Sequence, residues 1–402
     1  MQHVYFTQVR DGRFALITNW EQIKRERAVP GVTPNEIIIG SSCALTGHAS
    51  FLGTQTIHGA LAYLNNINEK GGIQGRRIKL IVYDDAYDPP LCEANTRRLI
   101  DEDKVFALTC YVGTPTTVKI IPIVAEDKIP LIGLFTGASA LRQPDQRYII
   151  NIRASYHQEI QKVVDHLVSD SKLTKIAVFY QDDEYGWDGL EGTQRALDHY
   201  GMKAVATGAY QRGSMEVETA LEKIVRSDPE AVVMIGTYAP CAKFIQLAKK
   251  RKGCMVFHNV SFVGAEELVK RLGDKAEGVL ITQVVPPPWK TTLIPAAEEY
   301  TALLARYFPD DHANFVGFEG FVNAKVLVQA LRRVGRELTR ERFIEAFEQM
   351  DYYSPGIGAD INFSKNNRQG LDQVYLTVVK DGKLVLVTDW SEIKPCRARI
   401  SP

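Results

Sequence analysis

The sequence predicts an α/β protein of two doubly wound, Rossmann-like lobes joined by a hinge of three crossing segments. Three observations carry that prediction. From Glu36 onward, apolar runs of strand length alternate with stretches of helical period, the pattern of parallel sheets covered on both faces. The alternation breaks at Tyr148–Tyr156 (YIINIRASY) and then starts again, as expected where a chain crosses between lobes. A second extended piece, Gly278–Pro288 (GVLITQVVPPP), leads the chain back. At 402 residues the chain also exceeds one ordinary core, so more than one domain is expected.

The first element is half of a repeat. Residues 3–24 (HVYFTQVRDGRFALITNWEQIK) match residues 373–394 (QVYLTVVKDGKLVLVTDWSEIK) at 11 of 22 positions, including Val4/Val374, Thr7/Thr377, Val9/Val379, Trp20/Trp390 and Ile23/Ile393. Each copy is two β-rich runs around Asp-Gly, a strong hairpin signal. Repeats of this length normally recur in tandem, yet these stand 370 residues apart. The expectation is that residues 1–24 are the tail of a preceding homologous unit, followed by the linker Arg25–Asn35. The alternative is a hairpin that extends a sheet edge in the same or a neighbouring molecule.

Glu36–Ser41 (EIIIGS) reads as a buried strand, followed by a polar loop over Ser42–Gly53. Ile57, Leu61, Leu64 and Ile67 then recur at helical spacing, and Gly71-Gly72 stops that helix. Arg77–Tyr83 is the next strand, and Asp84–Pro90 turns into a helix with proline at its start. Strands at Val105–Thr109 and Pro130–Leu134 flank a helix from about Pro115 to Glu126. Beyond the first crossing, strands are expected at Lys175–Tyr180, Lys203–Ala209, Ala231–Gly236 and Met255–Val260, each joined to the next by a helix. After the second crossing come helices Ile294–Tyr307, Phe318–Val334 and Arg340–Met350, then the C-terminal hairpin. The expected division is residues 36–153 and 283–335 for lobe 1, and 154–282 and 336–402 for lobe 2, with residues 1–35 outside both.

Composition removes several function classes. Lys+Arg 48 balances Asp+Glu 48, so there is no basic excess to neutralise phosphates, and nucleic acid is not an expected partner. No apolar run approaches the roughly 18 residues of a membrane helix. Arg10, Asp11 and Arg13 interrupt what would be the apolar core of a signal peptide. The six cysteines show neither CxxC nor ligand spacing with histidine, so no metal is expected. A Cys92–Cys110 disulfide and free buried thiols remain two open readings. GxSxG, P-loop, GxGxxG and HExxH motifs are all missing, and the acidic pairs Asp84-Asp85 and Asp182-Asp183 diverge in extended chain. Neither an enzyme nor a cofactor is expected.

In open α/β sheets, ligands bind beyond the carboxyl ends of the strands. Here those ends read SCALTG, CYVGTP and FTGAS in the first lobe, then DDEYG, TYAP and SFVGAE in the second. Threonine hydroxyls and backbone amides suit a carboxylate. Tyrosines suit an apolar side chain and an acid suits an ammonium, so the combination fits an amino acid.

With these loops in order, the sequence resembles the type I periplasmic binding proteins of ABC importers, in the leucine/isoleucine/valine- and amide-binding branch. Matching pieces include ALTGHASFLG, NEKGGIQGRRIKLIVYDDAYDP, CYVGTPTT, IPLIGLFTGAS, FYQDDEYG, VSFVGAE, TQVVPPP and FEGFVNAKVLVQAL, spread from Glu36 to Trp390. The resemblance implies a periplasmic or extracellular protein whose lobes close on one small solute and hand it to a membrane permease. A sensory module that reports the same closure to a signalling domain is the alternative. Carried over by position, Thr114, Phe135, Thr136 and Gly137 hold the α-carboxylate and α-amine. Tyr185 and Tyr238 close over the solute, Glu266 meets the ammonium, and Phe51 or Leu52 lines the pocket. Interlobe packing is the alternative role for the two tyrosines. Gly137 departs from the pattern, because the amino-acid binders carry a hydroxyl residue there.

Overall fold

The computed structural model describes residues 7–10, 13–16, 28–251, 255–289, 293–390 and 393. Strands β1 (Thr7–Arg10) and β2 (Arg13–Leu16) form a two-stranded antiparallel sheet joined to neither of the larger ones.

Lobe 1 opens with β3 (Glu36–Cys43), α1 (Ser50–Glu69), β4 (Arg77–Asp84) and α2 (Pro89–Asp101). It continues with β5 (Ala107–Thr109), α3 (Thr114–Lys119), α4 (Ile121–Glu126), β6 (Leu131–Ile132) and β7 (Ile149–Ile150). The five strands pair in parallel in the order β4-β3-β5-β6-β7. Two local expectations shift. Helix α1 begins at Ser50, so Phe51 and Leu52 lie in its first turn rather than in a loop. The single helix expected over residues 115–126 is two, parted at Ile120, because Pro122 has no N–H to continue the ladder.

Lobe 2 is built by α5 (Tyr156–Ser169), β8 (Ile176–Gln181), α6 (Glu184–Asp198), β9 (Thr207–Tyr210), α7 (Glu218–Arg226), β10 (Ala231–Ile235) and α8 (Tyr238–Arg251). Then come β11 (Val256–Asn259), α9 (Ala265–Leu272) and β12 (Leu280–Gln283). All five residues of β10 are buried, which is why its sequence, AVVMI, reads as one unbroken apolar run.

Helices α10 (Pro295–Tyr307) and α11 (Phe315–Val334) return to lobe 1 and pack on α1. Helix α12 (Arg340–Glu348) stays there too, against the expectation that residues 336–402 all belong to lobe 2. The Arg340 guanidinium donates to the carbonyls of Val105 (2.9 Å), Phe106 (3.0 Å) and Asp127 (3.1 Å), and Phe343 packs on Phe106 at 5.3 Å. An amphipathic helix announces its apolar face but not which lobe that face will meet. The chain crosses back only near Gln369, which pairs in parallel with Asn151 of the first crossing. Ala154, Val284 and Val374, one from each crossing segment, form a small buried cluster of their own.

Strands β13 (Tyr375–Lys380) and β14 (Lys383–Leu386) then complete the lobe 2 sheet, ordered β14-β13-β12-β11-β10-β8-β9. Asp381 and Gly382 hold φ of 50° and 70°, the left-handed pair that a tight Asp-Gly hairpin turn requires. Cys43, Cys92, Cys110 and Cys241 are buried and unbonded, so the free-thiol reading holds for Cys92 and Cys110.

Candidate functional site

The strand ends of the two lobes meet. On the lobe 1 side, β5 leads into the first turn of α3 and places Thr114 beside the segment that follows β6. The hydroxyls of Thr114 and Thr136 are hydrogen-bonded at 2.7 Å, both residues are buried, and Thr136 Oγ1 also accepts from the Ala138 amide at 3.3 Å. Gly137 explains its own departure from the family pattern. A Cβ there would stand 2.6 Å from both the ring and the backbone nitrogen of Tyr156, so the tyrosine occupies the room a side chain would need. Gly137→Ser is expected to lower stability in urea by about 1–3 kcal/mol, the usual cost of overpacking. Stability equal to that of the unmodified chain would show that Tyr156 is free to move aside.

On the lobe 2 side, Asp183 follows β8 and caps α6, accepting from the amides of Tyr185 (3.1 Å) and Gly186 (3.5 Å). That cap fixes Tyr185 in the first turn of α6. Its fully buried ring lies 4.7 Å from Phe262 and 5.2 Å from Tyr156. Phe262 in turn meets two rings of lobe 1, Phe135 at 5.6 Å and Tyr87 at 6.0 Å. The result is one aromatic patch shared by both lobes, adjoining the threonine pair. Its polar atoms are incompletely satisfied. The Tyr156 hydroxyl faces Thr136 and the Tyr87 hydroxyl faces Gln181, yet neither makes a hydrogen bond of ordinary geometry, and Thr237 Oγ1 also lacks one. A buried unpaired hydroxyl costs about 1–3 kcal/mol, so such atoms mark where an external polar group would be held.

A second group of contacts joins the lobes. Gly264, at φ 75°, brings the loop before α9 within 2.8 Å of Leu52 when a Cβ is placed on it, and Phe51 meets Tyr238 edge-on at 6.2 Å. The Arg271 guanidinium covers the Tyr238 ring at 4.9 Å. Glu266 follows, but it turns to α11: its Oε1 accepts from the Phe315 amide at 2.9 Å. Burial pushes the Glu266 carboxyl up to about 7, and its Oε2 is buried without a partner. Elsewhere across the gap, the Ser139 amide donates to Asp188 Oδ1 at 2.9 Å.

The structure therefore gathers Thr114, Phe135, Thr136, Gly137 and Tyr185 in one place, and Phe51, Leu52 and Tyr238 in an adjoining one. Glu266 sits at the N-terminus of α11, bonded to the Phe315 amide rather than facing the threonine pair. Three aromatic residues of the patch, Tyr87, Tyr156 and Phe262, were not singled out from the sequence. All lie in stretches that the sequence marks, but Tyr87 falls in an expected turn and Tyr156 in an expected crossing. Tyr87 and Ala86 hold φ of 64° and 48°, a left-handed pair that a sequence of this composition does not announce.

Behind the patch lies the hinge. Arg153, buried in the first crossing, donates to Glu159 of α5 at 2.6 Å, to Glu319 of α11 at 3.3 Å, and to Ser261. Glu159 also accepts from the Ser261 amide (2.8 Å) and the Thr282 hydroxyl (2.6 Å). The guanidinium lies 5.6 Å from the Phe135 ring and 5.5 Å from Tyr156, so the same cation ties both lobes and backs the aromatic patch. Among the described residues no cluster of His, Cys, Asp and Glu has the form of a metal site.

Two parallel-sheet lobes, three crossings and a buried hydroxyl-and-aromatic patch between strand ends define a solute-binding protein of the hinged, two-lobed class. The chain belongs to the periplasmic binding protein family, in the type I branch of leucine/isoleucine/valine-binding proteins; the family profile matches residues 36–383. A possible leucine/isoleucine/valine-binding protein from Rhodopirellula baltica is 35% identical, with a TM-score of 0.85 over 90% of this chain and 99% of its own. A substrate-binding periplasmic protein from Ralstonia solanacearum is 30% identical, with a TM-score of 0.82 over 88% of this chain and all of its own length (100%). An amino acid binding protein from Pseudomonas aeruginosa is 27% identical over 61% of this chain and 67% of that protein. These relatives bind solutes and are not enzymes.

Proposed function

We propose that this protein captures an amino acid or a closely related carboxylate or amide between its lobes in the periplasm or outside the cell, and delivers it to an ABC permease. One observation carries the reading: the hydroxyl pair of Thr114 and Thr136 borders an aromatic wall of Tyr185 and Phe262, with unpaired Tyr87 and Tyr156 hydroxyls beside it. The threonines suit a carboxylate, the rings an apolar side chain, and a solute touching both lobes biases the hinge towards closure. The relatives named for amino acids and for leucine/isoleucine/valine support the solute class, and the ABC-transporter neighbour from Thermus thermophilus, solved with valine, shares the fold at a TM-score of 0.80 and 22% identity.

A thermal-shift and calorimetry screen across amino acids, amides and aromatic acids tests it, because a solute that binds only the folded state raises stability by mass action. Thr114→Ala is expected to weaken the best solute by about 10- to 150-fold, from a hydrogen bond to a charged group worth roughly 1.5–3 kcal/mol. A screen with no amino acid or amide among its hits, or unchanged affinity in Thr114→Ala, would overturn the reading.

A further inference from the structure

Over the described strands, the two copies of the repeat pair alike. Strands β1 and β2 pair Thr7↔Leu16, Gln8↔Ala15, Val9↔Phe14 and Arg10↔Arg13. Strands β13 and β14 pair Thr377↔Leu386, Val378↔Val385, Val379↔Leu384 and Lys380↔Lys383, the same register moved along by 370 residues. What differs is the seat. The C-terminal hairpin lies antiparallel on the edge of β12, with Thr377 opposite Ile281 and its hydroxyl donating to the Ile281 carbonyl at 2.9 Å. Val379 exchanges backbone hydrogen bonds with Gly278 (2.9 Å) and Val279 (3.0 Å). Beyond β14, Trp390 stacks on His166 of α5 at 3.8 Å, and the Ile393 carbonyl accepts from Ser171 at 2.9 Å.

The residues the seat buries recur in the N-terminal copy. Val374, Thr377, Val379 and Ile393 are all buried, and they correspond to Val4, Thr7, Val9 and Ile23. Leu376 becomes Phe6 and stays apolar, Trp390 corresponds to Trp20, and only Gln8, in place of Val378, turns a buried position polar. Yet Thr7 is exposed where its counterpart is fully covered, and among the described residues β1 and β2 join no larger sheet. A lone two-stranded hairpin is marginal in water, so this one carries a contact face matched to a third strand.

We propose that β1 and β2 are an exchangeable edge hairpin whose partner is a second copy of this chain, where it takes the β12 edge of lobe 2 in place of β13 and β14. The resident hairpin is tethered beside its seat and holds it at high effective concentration. Exchange therefore shows when the resident is weakened, as in domain swapping. In the full chain, Val379→Asp puts a charge on the seated face. The expected result is a species of larger mass than the unmodified chain by light scattering, increasing with protein concentration. Adding Val9→Asp to that variant is expected to abolish the larger species and lower the melting temperature by several degrees, whereas Val9→Asp alone changes neither. Val379→Ala, mild enough to keep the chain folded, supports the same comparison as a non-additive pair with Val9→Asp. If Val9→Asp acts alike whether residue 379 is Val, Ala or Asp, the proposal is overturned. Rescue in a species of unchanged mass would equally overturn the second copy as partner.

Discussion

Arg153→Met is expected to lower stability in urea or guanidinium by about 3–5 kcal/mol, the cost of removing one partner from a buried ion pair. The methionine fills similar volume, so the loss would report charge rather than space. Glu159 and Glu319 would both remain buried, and the side chain of Arg153 is the cation shared between them. The effect should depend on pH. Burial holds Glu319 up to about 7 even with Arg153 beside it. A carboxyl raised in the folded state contributes stability that is whole below its unfolded value and lost as pH rises through the folded one. Protonated Glu319 scarcely needs the cation, so the deficit of Arg153→Met should be smaller at pH 5 than at pH 8. A deficit independent of pH would mean that Glu319 is not the group left stranded. Because the triad spans α5, the first crossing and α11, the variant should also bind its solute more weakly without touching it.

Tyr185→Ala is expected to act twice. Truncating a fully buried aromatic ring costs about 3–5 kcal/mol of stability. It also removes the lobe 2 wall that meets Tyr156 and Phe262, with an expected loss of solute affinity of at least about tenfold, or 1.4 kcal/mol. Tyr185→Phe separates the two effects. It keeps the ring and gives up only a long hydrogen bond to the Gly236 carbonyl at 3.4 Å, so its stability should stay within about 1 kcal/mol of the unmodified protein. If the Ala variant, once shown to be folded, binds the solute as tightly as the Phe variant, the ring packs the interface and contributes nothing to recognition.

The limits of the sequence are clearest where a residue's partner comes from the other lobe. The place of Thr114, Thr136 and Tyr185 near the interlobe gap is legible because each follows a strand, and ligand-facing loops leave the carboxyl ends of strands. The meeting of Tyr87, Tyr156 and Phe262 in one patch is not, because each joins it through a ring in a distant segment. Glu266 shows the same limit from the other direction. Its place at the start of a helix in SFVGAE was readable, but its turn towards the Phe315 amide depends on how α11 lies across the gap.

By itself, the order of apolar runs and helical periods determined the two lobes, the first two crossings, the strand-end loops that face the gap and the duplicated hairpin. These follow from local periodicity and turn chemistry, which a chain carries residue by residue. Tertiary structure alone decided that α12 docks on lobe 1, that Gly137 makes room for Tyr156, and that one buried guanidinium ties the lobes together. Each of those depends on the meeting of surfaces far apart in the chain, and no local pattern records which surface will be met.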